Sequence, residues 1–164
     1  MVLWRISNYA DLKGLGGLRA AGRWHFAGQP VVYLAEHPSA ALLEIIVHME
    51  IAGLADLPAT YQLLRVEVEE SATIAEIPEE GIPENWQDNQ AWSQDAGTEW
   101  LAGKTSVLLK VPSAINPYAH NYLTNPAHTD AGLLKISTAM QQDGFFVGAR
   151  RGGFRRDPSN GPDS

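Results

Sequence analysis

Residues 22–49, GRWHFAGQPVVYLAEHPSAALLEIIVHM, constrain the fold more than any other stretch. Residues 31–35, VVYLA, form a β-branched and aromatic run that reads as a strand. His37 and Pro38 then start a helix, with proline at the first position, where its missing N–H costs nothing. The helix continues as SAALLEIIVHM to Met49. It is apolar nearly all round, which predicts burial.

One residue breaks that pattern. Glu44 is a carboxylate flanked by Leu42, Leu43, Ile45 and Ile46. Burying it without a partner costs several kcal/mol, of order ~3–5. Two placements satisfy it. It reaches solvent along a narrow polar stripe with His37, Ser39 and His48, or it faces a cleft that supplies partners. The nearby Arg23 and Tyr33 favour the cleft.

A chain of 164 residues is long enough for one domain with a substantial core. It has no cysteine, which excludes disulfides and thiolate metal sites and fits a reducing cytoplasm. The start, MVLWRISNYADLKG, lacks the basic-then-apolar pattern of a signal peptide. No apolar run approaches the ~20 residues needed to span a membrane. The net charge of −7 disfavours general nucleic-acid binding. An anionic small molecule binds such a chain only where arginines gather, so each arginine's position is informative.

Residues 2–7 alternate as a first strand, with Trp4 and Arg5 on opposite faces. Arg5 is thus either an exposed strand charge or an anion ligand. Residues 14–22, GLGGLRAAG, hint at a dinucleotide fingerprint, but Arg19 stands where the third glycine belongs and no convincing helix follows. The stretch reads as a glycine loop. Residues 60–69 form another strand and 72–78 a short extended piece. Residues 78–92, acidic and proline-bearing, form a long connection in which Trp86 and Trp92 either line a lid or pin the loop to the core. Residues 96–104 read as a short helix, 105–113 as a strand ending beside Ser113, 116–131 as a turn-rich loop, and 132–138 as a last strand. A polar tail from residue 155 is expected to be disordered. Strands outnumber helices and do not alternate regularly with them. That predicts a single-domain α+β fold with a mixed sheet core and few helices.

Several chemistries lack their motif. There is no HExxH, and Glu44 with His48 gives too few ligands for zinc. There is no GxSxG elbow around Ser113 and no GxxxxGK[ST] phosphate loop. No metal site is expected.

Arg23 in GRWH, Tyr33 in VVYLAE and Glu44 in ALLEII resemble the core motif of the RES-domain toxins, bacterial proteins named for an arginine, a glutamate and a serine. The likeness extends through LWRIS, PENWQ, GTEWL, KVPSAI and NYLTNPAHTD in order, with Ser113 on the motif serine. Residues 1–154 are accordingly assigned to a RES domain, followed by a tail over 155–164. The resemblance implies an ADP-ribosyltransferase-like fold, NAD as substrate with no metal, and an Xre-type antitoxin partner in an oligomeric complex, with no direct nucleic-acid or membrane binding. It also implies roles. Arg5 and Arg23 hold phosphate or ribose, Tyr33 lines the nicotinamide side, Glu44, Arg23 and Ser113 form the catalytic set with Ser113 supporting the site, and Asn121 is a further binding residue. Two departures stand out: the loop NPYAHN lacks the family's usual acid, and the tail carries DPSNGPDS instead of the usual ending.

These residue types suit cleavage of the nicotinamide–ribose bond. The leaving group departs neutral while positive charge develops on the ribose, so the protein must clamp the dinucleotide and place a carboxylate near that charge. Arginine grips phosphate in bidentate fashion. The expectation is a cytoplasmic toxin that depletes NAD by hydrolysis or phosphorolysis. The rivals are an ADP-ribosyltransferase acting on a macromolecule and a catalytically weak partner of the antitoxin.

Overall fold

The computed structural model describes residues 1–52 and 56–141. Seven strands form one mixed sheet: β1 (Val2–Ser7), β2 (Val32–Ala35), β3 (Gln62–Val68), β4 (Ile74–Glu76), β5 (Leu108–Pro112), β6 (His120–Thr124) and β7 (Leu134–Gln141). Their spatial order is β4-β5-β6-β2-β1-β3-β7, and every neighbouring pair is antiparallel except β4 with β5. The helices are α1 (Gly16–Arg19), α2 (Pro38–Met49) and α3 (Gln90–Gly103). This is the α+β, single-domain, mixed-sheet architecture expected. The expected tail over 155–164 lies outside the described residues.

Side-chain alternation divides the apolar residues between the sheet's two faces. Leu3, Val32, Leu34, Val66, Leu108 and Tyr122 pack together on one. On the other, α2 sets Ala41 against Ile6 and Ala35. Farther along that face, Leu109, Val111 and Leu123 meet Trp24, Trp86, Trp100 and Leu101, the last two from α3. The sheet has one weak seam. β1 and β2 share a single register position, Trp4 with Ala35, whereas β1 runs along the full length of β3.

Four expectations change. The glycine loop contains one helical turn, α1. The helix expected over 96–104 begins at Gln90, capped by the Asn89 side chain, which accepts from the Trp92 N–H at 3.3 Å. Its polar first turns read as loop, yet Ser93 is buried there, its hydroxyl 2.7 Å from the Arg23 carbonyl oxygen. The region read as a turn-rich loop contains β6, a central strand hidden by flanking Asn and Pro. Finally, α2 is not buried all round. Only Ala41 is fully enclosed, while Leu43 and Val47 are 39% and 49% exposed, because nothing covers the helix's outer side among the described residues.

Trp86 pins its loop to the core, and Trp92 pins the first turn of α3. Their rings lie 5.4 and 5.8 Å from that of buried Trp24. The contact with α3 is so close that a Cβ on Gly97 would fall 1.8 Å from the Trp24 carbonyl oxygen, which only glycine allows.

Candidate active site

Glu44 lies midway along α2, whose start is fixed by Pro38 and by the His37 ring, which accepts from the Ser39 N–H at 3.2 Å. Ser113 directly follows β5. Asn121 lies on β6, in register with Val111 on one side and Ala35 on the other. Antiparallel pairing brings the end of β5 beside the start of β6, so both side chains reach the same carboxylate. Ser113 Oγ donates to Glu44 Oε1 at 2.9 Å, and Asn121 Nδ2 donates to the same oxygen at 2.6 Å. Such bonds to a charged acceptor are strong and fix one end of an otherwise flexible side chain. Oε2 makes no hydrogen bond among the described residues, and Glu44 lines an open cleft. One oxygen is therefore anchored and the other is available to a ligand.

Ser113 is 4% exposed and already saturated. Its oxygen accepts from the N–H groups of Ile115 and Asn116 at 3.2 and 3.1 Å while its proton goes to Glu44. It positions the carboxylate and is not a free nucleophile.

The cleft has a volume of about 350 Å³ and gathers Arg5, Arg23, Tyr33, Glu44 and Asn121. It lies at the seam between β1 and β2. Arg5 alternates away from Trp4, yet both line the cleft, because the strands part beyond their single pairing. The Arg5 guanidinium makes no hydrogen bond or ion pair among the described residues. Burial pulls its ionisation below arginine's ordinary value and the Asp11 carboxylate opposes this, but an arginine keeps its proton. Arg5 is thus a half-buried cation on the cleft wall whose nitrogens make no hydrogen bond among the described residues.

Arg23, expected to hold phosphate or ribose, lines the cleft and is also bonded within the protein. One terminal nitrogen, Nη2, donates to the Trp86 carbonyl at 2.9 Å and to the Gln87 carbonyl, and the guanidinium lies 5.1 Å from the Trp86 ring centre. Its Nε is buried without a partner. Nη1 makes no hydrogen bond among the described residues, so part of the group remains available. The Tyr33 ring lines the cleft, but its hydroxyl turns to the preceding loop, 3.0 Å from the Trp24 nitrogen and 2.8 Å from His25 Nδ1.

Trp4, Ser7, Asn8, His48 and Tyr61 also line the cleft and were not assigned to the site from sequence. The spacing of four between Glu44 and His48 was the one visible signal. Tyr61 and Asn8 offered none. Among the described residues, no group of three or more His, Asp or Glu side chains stands ready to hold a metal ion. No described helix is long and apolar enough to cross a membrane.

Comparison with known proteins gives the chain's family and its fold neighbours. The RES domain model matches residues 2–146. A Pseudomonas putida protein named Toxin Res is 46% identical over 136 residues, which is 83% of this chain and 92% of that protein. A Sphingobium protein named Prs ADP-ribosylating toxin is 37% identical over 142 residues, 80% of this chain and 86% of that one. In fold, the chain resembles a structure described as the crystal structure of the M. tuberculosis MbcT-MbcA toxin-antitoxin complex. The TM-score is 0.65 at 19% identity, covering 85% of this chain and 82% of that chain.

Proposed function

This chain belongs to the RES-domain family, and from that premise we propose that it is the toxin of a toxin–antitoxin pair and cleaves the nicotinamide–ribose bond of NAD+. The observation that carries this reading is Glu44, held through Oε1 by Ser113 and Asn121 with Oε2 open to the cleft that Arg5 also lines.

Arg5 meets the diphosphate, and Arg23 adds its free nitrogen. Glu44 Oε2 accepts from a hydroxyl of the nicotinamide ribose, and its negative charge strengthens that contact as the ribose becomes cationic. The electron pair of the breaking C–N bond leaves with nicotinamide, which departs neutral. Water or inorganic phosphate then adds to the ribose carbon and gives its proton to solvent. Anchoring Oε1 removes rotational freedom from the carboxylate before the reaction begins.

The purified chain incubated with NAD+ should release free nicotinamide, and the Glu44→Gln variant should not. Full turnover by that variant removes Glu44 from the mechanism. A second reading, transfer of ADP-ribose to a protein, is favoured by the name of the Sphingobium relative. Label from the adenylate half of NAD appears on protein in that case and in free ADP-ribose species in the first. An antitoxin of the Xre type that covers the cleft, in an oligomeric complex, is the proposed partner. Its proposed place of action is the cytoplasm, where NAD is held.

A further inference from the structure

Tyr33 and His25 form a unit that the reaction as proposed does not use. His25 is 3% exposed. Its Nε2 lies 3.1 Å from the Ala20 carbonyl oxygen, so Nε2 carries the proton and donates. Nδ1 is then an acceptor, and the partner 2.8 Å away is the Tyr33 hydroxyl, which must donate. The same hydroxyl oxygen accepts from the Trp24 N–H at 3.0 Å. One phenol thus fixes both the backbone and a side chain of the loop that carries Arg23. The space around it is filled, since a Cβ on Gly22 would fall 2.6 Å from the Tyr33 hydroxyl and 2.8 Å from the His25 ring.

The loop is gripped equally from the other side. Ser93 and Gln94 of α3 donate to the carbonyls of Arg23 and Gly22 at 2.7 and 2.9 Å. Arg23 is therefore mounted on a segment held between β2 and α3, with its own side chain pinned to the Trp86 and Gln87 carbonyls.

We propose that His25 and the Tyr33 hydroxyl are positioning residues: together they clasp residues 20–25 and set the Arg23 guanidinium in the cleft, so that the Tyr33 hydroxyl acts through Arg23 and not by touching the ligand. The ligand side of this proposal rests on the cleft being an NAD site. Its structural side does not. Both tyrosine bonds are internal to the protein, and a hydroxyl with its proton committed to His25 has none to give a substrate. Breaking the clasp leaves a buried imidazole nitrogen and a backbone N–H without partners, so the loop relaxes.

Two measurements test the proposal. In the full chain, hydrogen exchange at the Trp24 amide should accelerate in Tyr33→Phe and His25→Phe, while amides of β3 and β5 stay protected. His25→Gln, which can accept from Tyr33 and donate to Ala20, should restore protection. Undiminished Trp24 protection in Tyr33→Phe overturns the clasp whether or not the protein binds NAD. For NAD, Tyr33→Phe should raise KM about tenfold with a smaller change in kcat, the size expected from one buried bond lost. In a double-mutant cycle, Tyr33→Phe should add little to Arg23→Ala, because it acts through that residue. Additive losses mean that the hydroxyl touches the ligand directly and overturn the proposal. Absence of NAD binding by the wild-type chain sinks the proposed function instead and leaves the exchange measurement to decide the clasp.

Discussion

Two helices on the same face of the sheet have opposite relations between sequence and burial. α2 reads PSAALLEIIVHM and is the more apolar, yet it fully buries only Ala41. α3 reads QAWSQDAGTEWLAG and is the more polar, yet it buries Ser93, Gly97, Trp100 and Leu101. The difference lies in what faces each one. α3 packs where Trp24 and Trp86 meet the sheet, and Ser93 is buried there because the backbone of the Arg23 loop supplies its partner. α2 lies beside the seam between β1 and β2, where a cleft takes the place of packed side chains. α3 is therefore mainly structural, whereas α2 carries a carboxylate whose surroundings are left open. Burial here follows from position on the sheet, and chemistry follows from the place where packing stops.

That contrast can be broken by mutation. The largest effect is expected at Trp100→Ala, which removes a buried ring and its Nε1–H bond to Ser106 Oγ at 2.8 Å. It should cost about 3–5 kcal/mol in urea unfolding, and a loss below 1 kcal/mol would show that α3 is not the anchor described. Glu44→Gln should lower nicotinamide release by about a hundredfold or more, the range for removing a group that stabilises developing charge, with an unfolding midpoint close to wild type. Simultaneous loss of folding would make Glu44 structural and erase the distinction. Ser113→Ala should lower turnover about tenfold, because it removes one bond to a charged oxygen, while Asn121 still holds Oε1. A drop as large as that of Glu44→Gln would give the serine a direct part in the chemistry.

Acid sharpens the comparison on the α3 side. Burial holds the His25 imidazole below its ordinary value of 6.5, against the opposing pull of the Ala20 and Gly17 carbonyls. Between that lowered value and 6.5 the unfolded chain binds a proton that the folded chain refuses, so stability falls as pH drops through this window. The His25→Gln variant should show a flatter profile there in pH-dependent thermal unfolding. The smallest effect is expected at Val47→Ser on the open side of α2, within about 0.5 kcal/mol of wild type. A marked destabilisation would mean that this face is covered after all.

Much of the fold was legible in local sequence. The alternation of residues 2–7 and 60–69, the β-branched run before His37 and the Pro38 start each dictate a backbone state over a few residues, and the structure bears each of them out. β6 was not legible. HNYLT has little strand signature of its own and is a strand because β5 and β2 flank it on both sides. The first turns of α3 were missed because residues up to Trp92 read as a polar connection, and Ser93 and Gln94 find their partners only in the carbonyls of Arg23 and Gly22. At the site, Glu44 announced itself as a charge among aliphatics, but Tyr61 and Asn8 carried no mark.

By itself, the sequence determined that Glu44 needs partners, since a carboxylate on an apolar helix must be compensated wherever the helix goes. It also determined the periodicity of the strands, which is a property of neighbouring residues. Tertiary structure alone decided which partners compensate it: Ser113 and Asn121 are 69 and 77 residues away, and only the register of β5 on β6 brings both to one oxygen. Tertiary structure likewise decided that Arg23 is held by the Trp86 and Gln87 carbonyls while Arg5 makes no hydrogen bond among the described residues. A guanidinium's affinity for an acceptor is fixed by its chemistry, but which acceptor lies within reach depends on how distant segments pack.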